Sequence, residues 1–294
     1  MRALITGIEG FTGQYVAAEL EAAGYQVFGL CNRAHPGTTR IFPADLQDAR
    51  ALKTAITKAA PDVVVHLAAL AFVAHGDAAA FYKVNVIGTR NLLEALAQAA
   101  PHARRVVLAS SANVYGNQQA GMLDEQTPPN PANDYAVSKL AMEYMARLWH
   151  DRLPMVITRP FNYTGVGQSP AFLLPKIVAH FQRRAERIEL GNLDVCRDFS
   201  DVRAVAQAYR RLLEAPAAIG QTVNLCSGRT VSLREVLTLT EQQTGHPMKI
   251  DVNPAFVRQN EVHTLGGSPD LLRRLIGDWH SPPLEETLAW MLEG

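Results

Sequence analysis

The sequence predicts an α/β fold, a Rossmann-like doubly wound parallel sheet with a smaller C-terminal lobe, on three observations. From residue 2 to about 160, short apolar runs alternate with longer stretches of helical period, the pattern of a parallel sheet covered by helices on both faces. A glycine-rich turn, Gly7-Ile8-Glu9-Gly10-Phe11-Thr12-Gly13, follows the first apolar run and opens the first helical stretch. Beyond Pro160 the alternation loosens, and turn formers are frequent over 162–170.

Strands are expected at 2–6, 26–30, 63–67, 105–109 and 155–159, each a short run rich in apolar and β-branched residues. Helices are expected at 12–23, 48–59, 78–99 and 135–152, where apolar residues recur at helical spacing. The second part predicts a helix at 173–184, a strand at 221–226 and a helix at 233–244. A short apolar run at 249–252, a loop over 254–267 and a helix at 284–292 complete the chain. No internal repeat or low-complexity linker interrupts it.

The 294 residues are 48% hydrophobic and 19% charged, and 28 basic side chains balance 28 acidic ones. This fits one large globular domain or two smaller ones and excludes a disordered or fibrous chain. Balanced charge provides neither a basic patch for a phosphate backbone nor a polybasic anchor, so no nucleic-acid or membrane partner is expected. No apolar stretch approaches membrane-spanning length, and the opening MRALITGIEGFTG enters a strand directly, so no leader is expected. Cys31, Cys196 and Cys226 are odd in number and widely spaced, which points to a reducing cytoplasm rather than a disulfide framework or CxxC metal clip. His66 and His75 flank an apolar strand end without convergent ligands, and no metal is expected.

Glycines between a strand and a helix let the backbone approach a pyrophosphate at the helix N-terminus, so Gly7, Gly10, Phe11, Thr12 and Gly13 are expected to bind a dinucleotide. An acid ending the second strand would hold the ribose hydroxyls of NAD, but that strand ends Gly29-Leu30-Cys31-Asn32-Arg33. Arg33, with Asn32 beside it, can instead meet a 2′-phosphate. NADP(H) is therefore expected in preference to NAD(H), which is also admitted; the alternative for Arg33 is a solvated surface position.

Tyr135-Ala136-Val137-Ser138-Lys139 sets a phenol and an ammonium four residues apart, so on a helix both project from one face. A tyrosine with a pKa near ~10 exchanges protons poorly at neutral pH. A fixed cation nearby is expected to lower that value and let Tyr135 donate a proton to a carbonyl. Ser110-Ser111-Ala112-Asn113-Val114-Tyr115-Gly116 follows a strand at the sheet edge where ligands approach, with Tyr115 open to packing or cofactor contact.

In order and separation, the GxxGxxG turn, the serine segment and the YxxxK pair resemble the extended short-chain dehydrogenase/reductase family, which includes nucleotide-sugar epimerases and dehydratases. The resemblance covers nearly the whole chain. Arg159-Pro160-Phe161-Asn162-Tyr163-Thr164-Gly165 and Gly191-Asn192-Leu193-Asp194-Val195-Cys196-Arg197-Asp198-Phe199 are similar to the branch acting on GDP-linked deoxyhexoses.

The resemblance implies Ser111, Tyr135 and Lys139 as catalytic residues, with Lys139 also bonded to the nicotinamide ribose. It implies Asp45 and Leu46 beside the adenine, and Leu67, Ala68 and Ala69 as the low-bulk segment under the cofactor, although packing explains each alanine equally. Asn162 is implied near the sugar diphosphate, Arg197 paired with it, and Arg258 with Glu261 on phosphate and ribose. Ser111, Asn113, Lys176 and Asn192 complete the expected substrate contacts. Arg197 has competing partners in Asp198 and Asp201, while solvent competes for Arg258 and Lys176. The expected division is a dinucleotide-binding domain of 1–161, with roughly 196–228 returning to it, and a sugar-nucleotide lobe of 162–195 and 229–294. A homodimer through helices 78–99 and 135–152 is also implied, unless their apolar faces cover the sheet.

A 4,6-dehydratase needs acid–base groups beyond tyrosine and lysine, and its family places a glutamate two residues after the serine or threonine. Here that position is Asn113, whose amide is no base at neutral pH. An epimerase that only borrows hydride can retain its NAD, and the strand-two acid suited to NAD is missing here as well. Both departures favour NADPH-driven reduction of the 4-keto group of a GDP-linked 4-keto-6-deoxyhexose, in its concrete form GDP-4-keto-6-deoxy-D-mannose to GDP-D-rhamnose. A 4,6-dehydratase, a 4-epimerase and a non-catalytic sensor on the same fold are the rivals.

Overall fold

The computed structural model describes residues 1–33, 39–71, 77–116, 121–257 and 262–294. The first part runs β1 (Arg2–Thr6), α1 (Phe11–Ala22), β2 (Gln26–Cys31), β3 (Ile41–Pro43), α2 (Ala49–Ala59), β4 (Val63–His66) and α3 (Ala78–Phe81). A π-helical stretch, Tyr82–Gly88, carries α3 into α4 (Thr89–Ala99). Then come β5 (Arg105–Ala109), a 3₁₀ turn at Ala112–Tyr115, α5 (Asp134–Arg147) and β6 (Met155–Pro160).

The second part runs β7 (Asn162–Thr164), α6 (Leu173–Gln182), β8 (Arg187–Leu190), β9 (Cys196–Asp201), α7 (Val202–Glu214) and β10 (Thr222–Leu225). It continues with β11 (Thr230–Ser232), α8 (Leu233–Thr244), β12 (Lys249–Val252), β13 (Thr264–Leu265), α9 (Asp270–Ile276) and α10 (Leu284–Glu293).

Seven strands form one parallel sheet in the order β3-β2-β1-β4-β5-β6-β10. Both faces are buried, and the period-two rule decides which core each side chain joins. Ala3, Ile5, Val63, Val65, Val107 and Val156 face one core, with Val16 and Leu20 of α1 and Val205, Tyr209 and Leu212 of α7. Leu4, Val64, Val106, Leu108, Met155 and Ile157 face the other, with Leu52, Leu92, Leu96 and Met142 from α2, α4 and α5. The strand order turns back between β1 and β4, which opens a crevice at the carboxyl ends of the strands.

A third core joins Leu174, Ile177 and Phe181 of α6, Val236 and Leu237 of α8, and Leu288 and Met291 of α10. Beside it β9 pairs with β7, β11 and β13, and β8 pairs with β12. Segment 196–228 divides between layers: β9 lies in this smaller sheet, whereas α7 and β10 join the large one. Leu272 and Ile276 of α9 also enter the core shared by α1 and α7.

The helix expected at 135–152 ends at Arg147. Leu153 is 2% exposed and must turn into the core before Pro154, so turns anchored on the Trp149 carbonyl replace the last helical turn. Among the described residues, no helix is long and apolar enough to cross a membrane.

Candidate active site

The glycine turn is shaped by backbone packing on backbone. Gly7 adopts φ +70°, and a Cβ there would stand 2.9 Å from the Ala68 nitrogen. A Cβ on Gly13 would stand 2.7 Å from Ile8 Cα. Gly7 N donates to Leu30 O at 3.0 Å, tying the turn to the end of β2, and Gly10 N donates to Gly7 O at 3.0 Å. Gly10 caps α1 without a side-chain acceptor, so the helix presents its first N–H groups uncapped by side chains at the mouth of the crevice. That cradle fits a pyrophosphate.

Around the adenosine end, Asn32 and Arg33 are both exposed. The Glu9 carboxylate reaches the Cys31 thiol, whose pKa is raised first by burial and further by Glu9. Asp45 is exposed and accepts from Gln47 N at 2.8 Å, while Leu46 is buried in the second core. Leu67 and Ala69 line the crevice, whereas Ala68 lies beneath Gly7 and donates its N–H to Thr6 Oγ1 at 3.1 Å.

The cleft of about 380 Å³ gathers Gly7, Gly10, Phe11, Thr12 and Gly13 with Ser111, Asn113, Tyr135, Lys139 and Asn162. Asn133 starts α5 by accepting from Ala136 N at 2.9 Å, which fixes the turn bearing Tyr135. The Tyr135 phenol hydrogen-bonds the Ser111 hydroxyl, and Ser111 Oγ also accepts from Asn113 N at 3.2 Å. Lys139 is 5% exposed and donates Nζ to the Ala109 carbonyl at 2.8 Å.

The electrostatics differ from the sequence expectation that Lys139 lowers Tyr135. Burial pushes Tyr135 up to about 12, and its bond to Ser111 only partly opposes this. Burial pulls Lys139 down to about 8, with Glu143 opposing. The site therefore holds a protonated phenol beside a lysine that is still mostly cationic at neutral pH.

His66 is a core residue between Thr6 Oγ1 at 2.7 Å and Thr89 Oγ1 at 2.8 Å. Burial, then the charge on Lys139, lowers it to about 3. His75 lies outside the described residues, among which no group of three His, Cys, Asp or Glu could hold a metal ion.

Asn162 borders the cleft, and its buried Nδ2 has no acceptor among the described residues. Lys176, Asn192 and Arg197 are not part of this cleft wall. Lys176 Nζ donates to Glu189 O at 2.7 Å and lies 4.9 Å from the Phe256 ring centre. Asn192 Oδ1 accepts from Asp194 N at 3.0 Å, and Arg197 Nη1 donates to Cys196 O at 2.8 Å and His263 O at 3.0 Å. Arg258 and Glu261 lie outside the described residues.

Sequence reasoning missed Tyr163, Gln168 and Phe172, which also line the cleft. Tyr163 Oη pairs with Thr12 Oγ1 at 2.8 Å and its ring stacks on Phe11 at 6.2 Å, joining the glycine turn to β7. Its place just after a sheet strand and next to Asn162 was the available signal. Tyr115 has a packing role: it is fully buried and donates to Asn224 Oδ1 at 2.8 Å.

Comparison with known proteins agrees with this architecture. The family model for GDP-mannose 4,6 dehydratase matches residues 4–289. GDP-6-deoxy-D-talose 4-dehydrogenase of Aggregatibacter actinomycetemcomitans is 34% identical over 95% of this chain and 92% of its own length. GDP-6-deoxy-D-mannose reductase of Pseudomonas aeruginosa is 33% identical over 97% of this chain and 99% of its own. A crystal structure from Burkholderia cenocepacia J2315, provisionally described as an epimerase, shares 54% identity with a TM-score of 0.93, covering 99% of this chain and 97% of that one. RMD from Pseudomonas aeruginosa complexed with NADPH superposes with a TM-score of 0.87 at 31% identity, covering 100% and 98%. Matched along nearly its whole length in sequence and in fold, the chain belongs to the GDP-mannose 4,6 dehydratase family and is an enzyme of the extended short-chain dehydrogenase/reductase class.

Proposed function

We propose that this enzyme reduces the 4-keto group of GDP-4-keto-6-deoxy-D-mannose to GDP-D-rhamnose, using NADPH in preference to NADH. The observation that carries the reading is a protonated Tyr135 beside Ser111 in a cleft whose described wall contains no carboxylate. Ketone reduction needs one proton at the carbonyl oxygen. Elimination of water needs further groups to move protons, and Asn113 stands where a dehydratase of this family carries glutamate.

The bound nicotinamide dinucleotide supplies the hydride. Ser111 holds the ketone oxygen, Tyr135 donates its phenolic proton to that oxygen, and the Lys139 cation stabilises the developing phenolate. The unpartnered Asn162 Nδ2 supports a donor contact to the substrate. Arg33 and the acid-free end of β2 suit a 2′-phosphate and support the preference for NADPH, while the Glu9 carboxylate beside Cys31 supports use of NADH as well.

The 34% likeness to a GDP-6-deoxy-D-talose 4-dehydrogenase favours a second reading in which the product is the C4 epimer. Incubation with GDP-mannose or its 4-keto-6-deoxy derivative, each with NADPH or NADH, tests both. Faster NADPH oxidation on the ketosugar, giving GDP-D-rhamnose, is expected; GDP-6-deoxy-D-talose supports the second reading. Direct dehydration of GDP-mannose contradicts both.

The three free cysteines fit a cytoplasmic setting. Val137, Tyr144 and Leu148 are exposed at i, i+7 and i+11 of one helical surface continuing beyond α5, and Ile87 is exposed on the π-helical stretch packed beside it. A second copy of the chain would cover this stripe as a homodimer.

A further inference from the structure

Tyr135, Lys139 and Glu143 occur four residues apart along α5 and share one face. They confront three consecutive residues at the end of β5. Tyr135 bonds Ser111, Lys139 donates to Ala109 O at 2.8 Å, and Ser110 Oγ donates to Glu143 Oε1 at 2.6 Å. The first two of these three helix residues belong to the chemistry proposed above; Glu143, one turn further, is fully buried and is not part of the cleft wall.

Its carboxylate is held from the other side by Arg159 of β6. Nε donates to Oε1 at 2.9 Å and Nη2 to Oε2 at 2.7 Å. Arg159 Nη1 donates to Tyr115 Oη at 3.0 Å, and Tyr115 donates to Asn224 of β10. A buried ion pair is commonly no more stabilising than apolar side chains of the same volume, because both charges leave water. Its value here lies in geometry: a carboxylate gripped by two guanidinium nitrogens is a fixed acceptor for Ser110.

We propose that Glu143 is a positioning residue for the reduction, holding Ser111 in register with Tyr135 through Ser110 and fixing a carboxylate one helical turn from Lys139. This rests on the reading of Ser111, Tyr135 and Lys139 given above. Among the described residues, Lys139 interacts with Glu143 on its own helix and with neutral His66 of β4, while Arg159 of β6 grips the same carboxylate and Tyr135 stands one helical turn before it. Among them Glu143 supplies the negative charge, and it opposes the downward pull of burial on Lys139.

The test is steady-state ketosugar reduction with NADPH from about pH 6 to about pH 10 by the wild type, Ser110→Ala and Glu143→Gln, where kcat/KM reports free-enzyme titrations. Ser110→Ala leaves the Glu143–Arg159 pair intact. It is expected to lose about ten- to a hundredfold in kcat through misplacement of Ser111, with an unchanged KM for NADPH and an unmoved alkaline limb. Glu143→Gln is expected to lose kcat similarly and to move the alkaline limb toward neutral pH. Wild-type kcat in Ser110→Ala overturns the proposal, and so does an unmoved limb in folded Glu143→Gln. Should Glu143→Gln fail to fold, the Ser110→Ala result decides alone. A wild type unable to reduce the ketosugar would overturn the functional reading as well, whereas wild-type kcat in Ser110→Ala overturns only the role of Glu143.

Discussion

Tyr135 is buried at the carboxyl end of the sheet, and burial rather than the neighbouring lysine dominates its titration. A phenol pushed up to about 12 is a proton donor throughout the neutral range. Tyr135→Phe should therefore stay folded and bind NADPH while losing about 10²–10⁴-fold in kcat, measured by cofactor oxidation on the ketosugar. Lys139 sets the pH dependence. Its lowered pKa means that the cation is present below about 8 and lost as pH rises through that value. The kcat/KM for reduction should fall above about pH 8 and stay level below it as far as this group is concerned; a profile flat to pH 10 would contradict the assignment. The Tyr–Lys spacing was legible in the sequence because a helix converts four residues into one turn. The sign of the Tyr135 shift was not, because burial is decided by the strands and helices around it.

At the scale of elements, the glycine turn and α5 act as two fixed jaws. Gly13 packs where a Cβ would collide with the Ile8 backbone, so Gly13→Ala must displace the turn that approaches the cofactor. We expect a loss of about 1–3 kcal/mol in stability together with weaker NADPH binding, read by thermal unfolding with and without cofactor. Unchanged values for both would contradict the packing account. The first five sheet strands in the expected list were readable because parallel strands buried on both faces are continuous apolar runs. β9 was not readable, since Cys-Arg-Asp-Phe-Ser-Asp is a polar string. Its buried Asp198 accepts from Ser227 N at 2.7 Å and Gly228 N at 2.9 Å, while Asp201 accepts from Thr287 Oγ1 at 3.0 Å. Partners 29 to 86 residues away make that strand possible. α7 was missed for a different reason: its apolar face was present as Val202, Val205, Tyr209 and Leu212, but it follows a strand that was not recognised.

At the scale of the whole molecule, two cores sandwich the sheet and a third builds the smaller lobe, leaving the cleft where glycine turn, β5 end, α5 and β7 converge. The exposed stripe of Val137, Tyr144 and Leu148 is not part of that cleft wall, so the proposed pairing of two copies would leave the cleft lining uncovered. Sedimentation should show a dimer for the wild type and a monomer for Leu148→Arg; a monomeric wild type would contradict the pairing. The fold class was legible from alternation alone, while the substrate contacts were less so, because Lys176 and Arg197 are engaged by backbone carbonyls that only the folded lobe brings near them. The proposed reduction delivers hydride to a ketone carbon and a proton to its oxygen. It is tested most directly by reaction of GDP-4-keto-6-deoxy-D-mannose with NADPH carrying deuterium at the transferable position. One deuterium at sugar C4 is expected for each NADPH oxidised. Unconsumed NADPH and an unlabelled C4 would rule the reduction out.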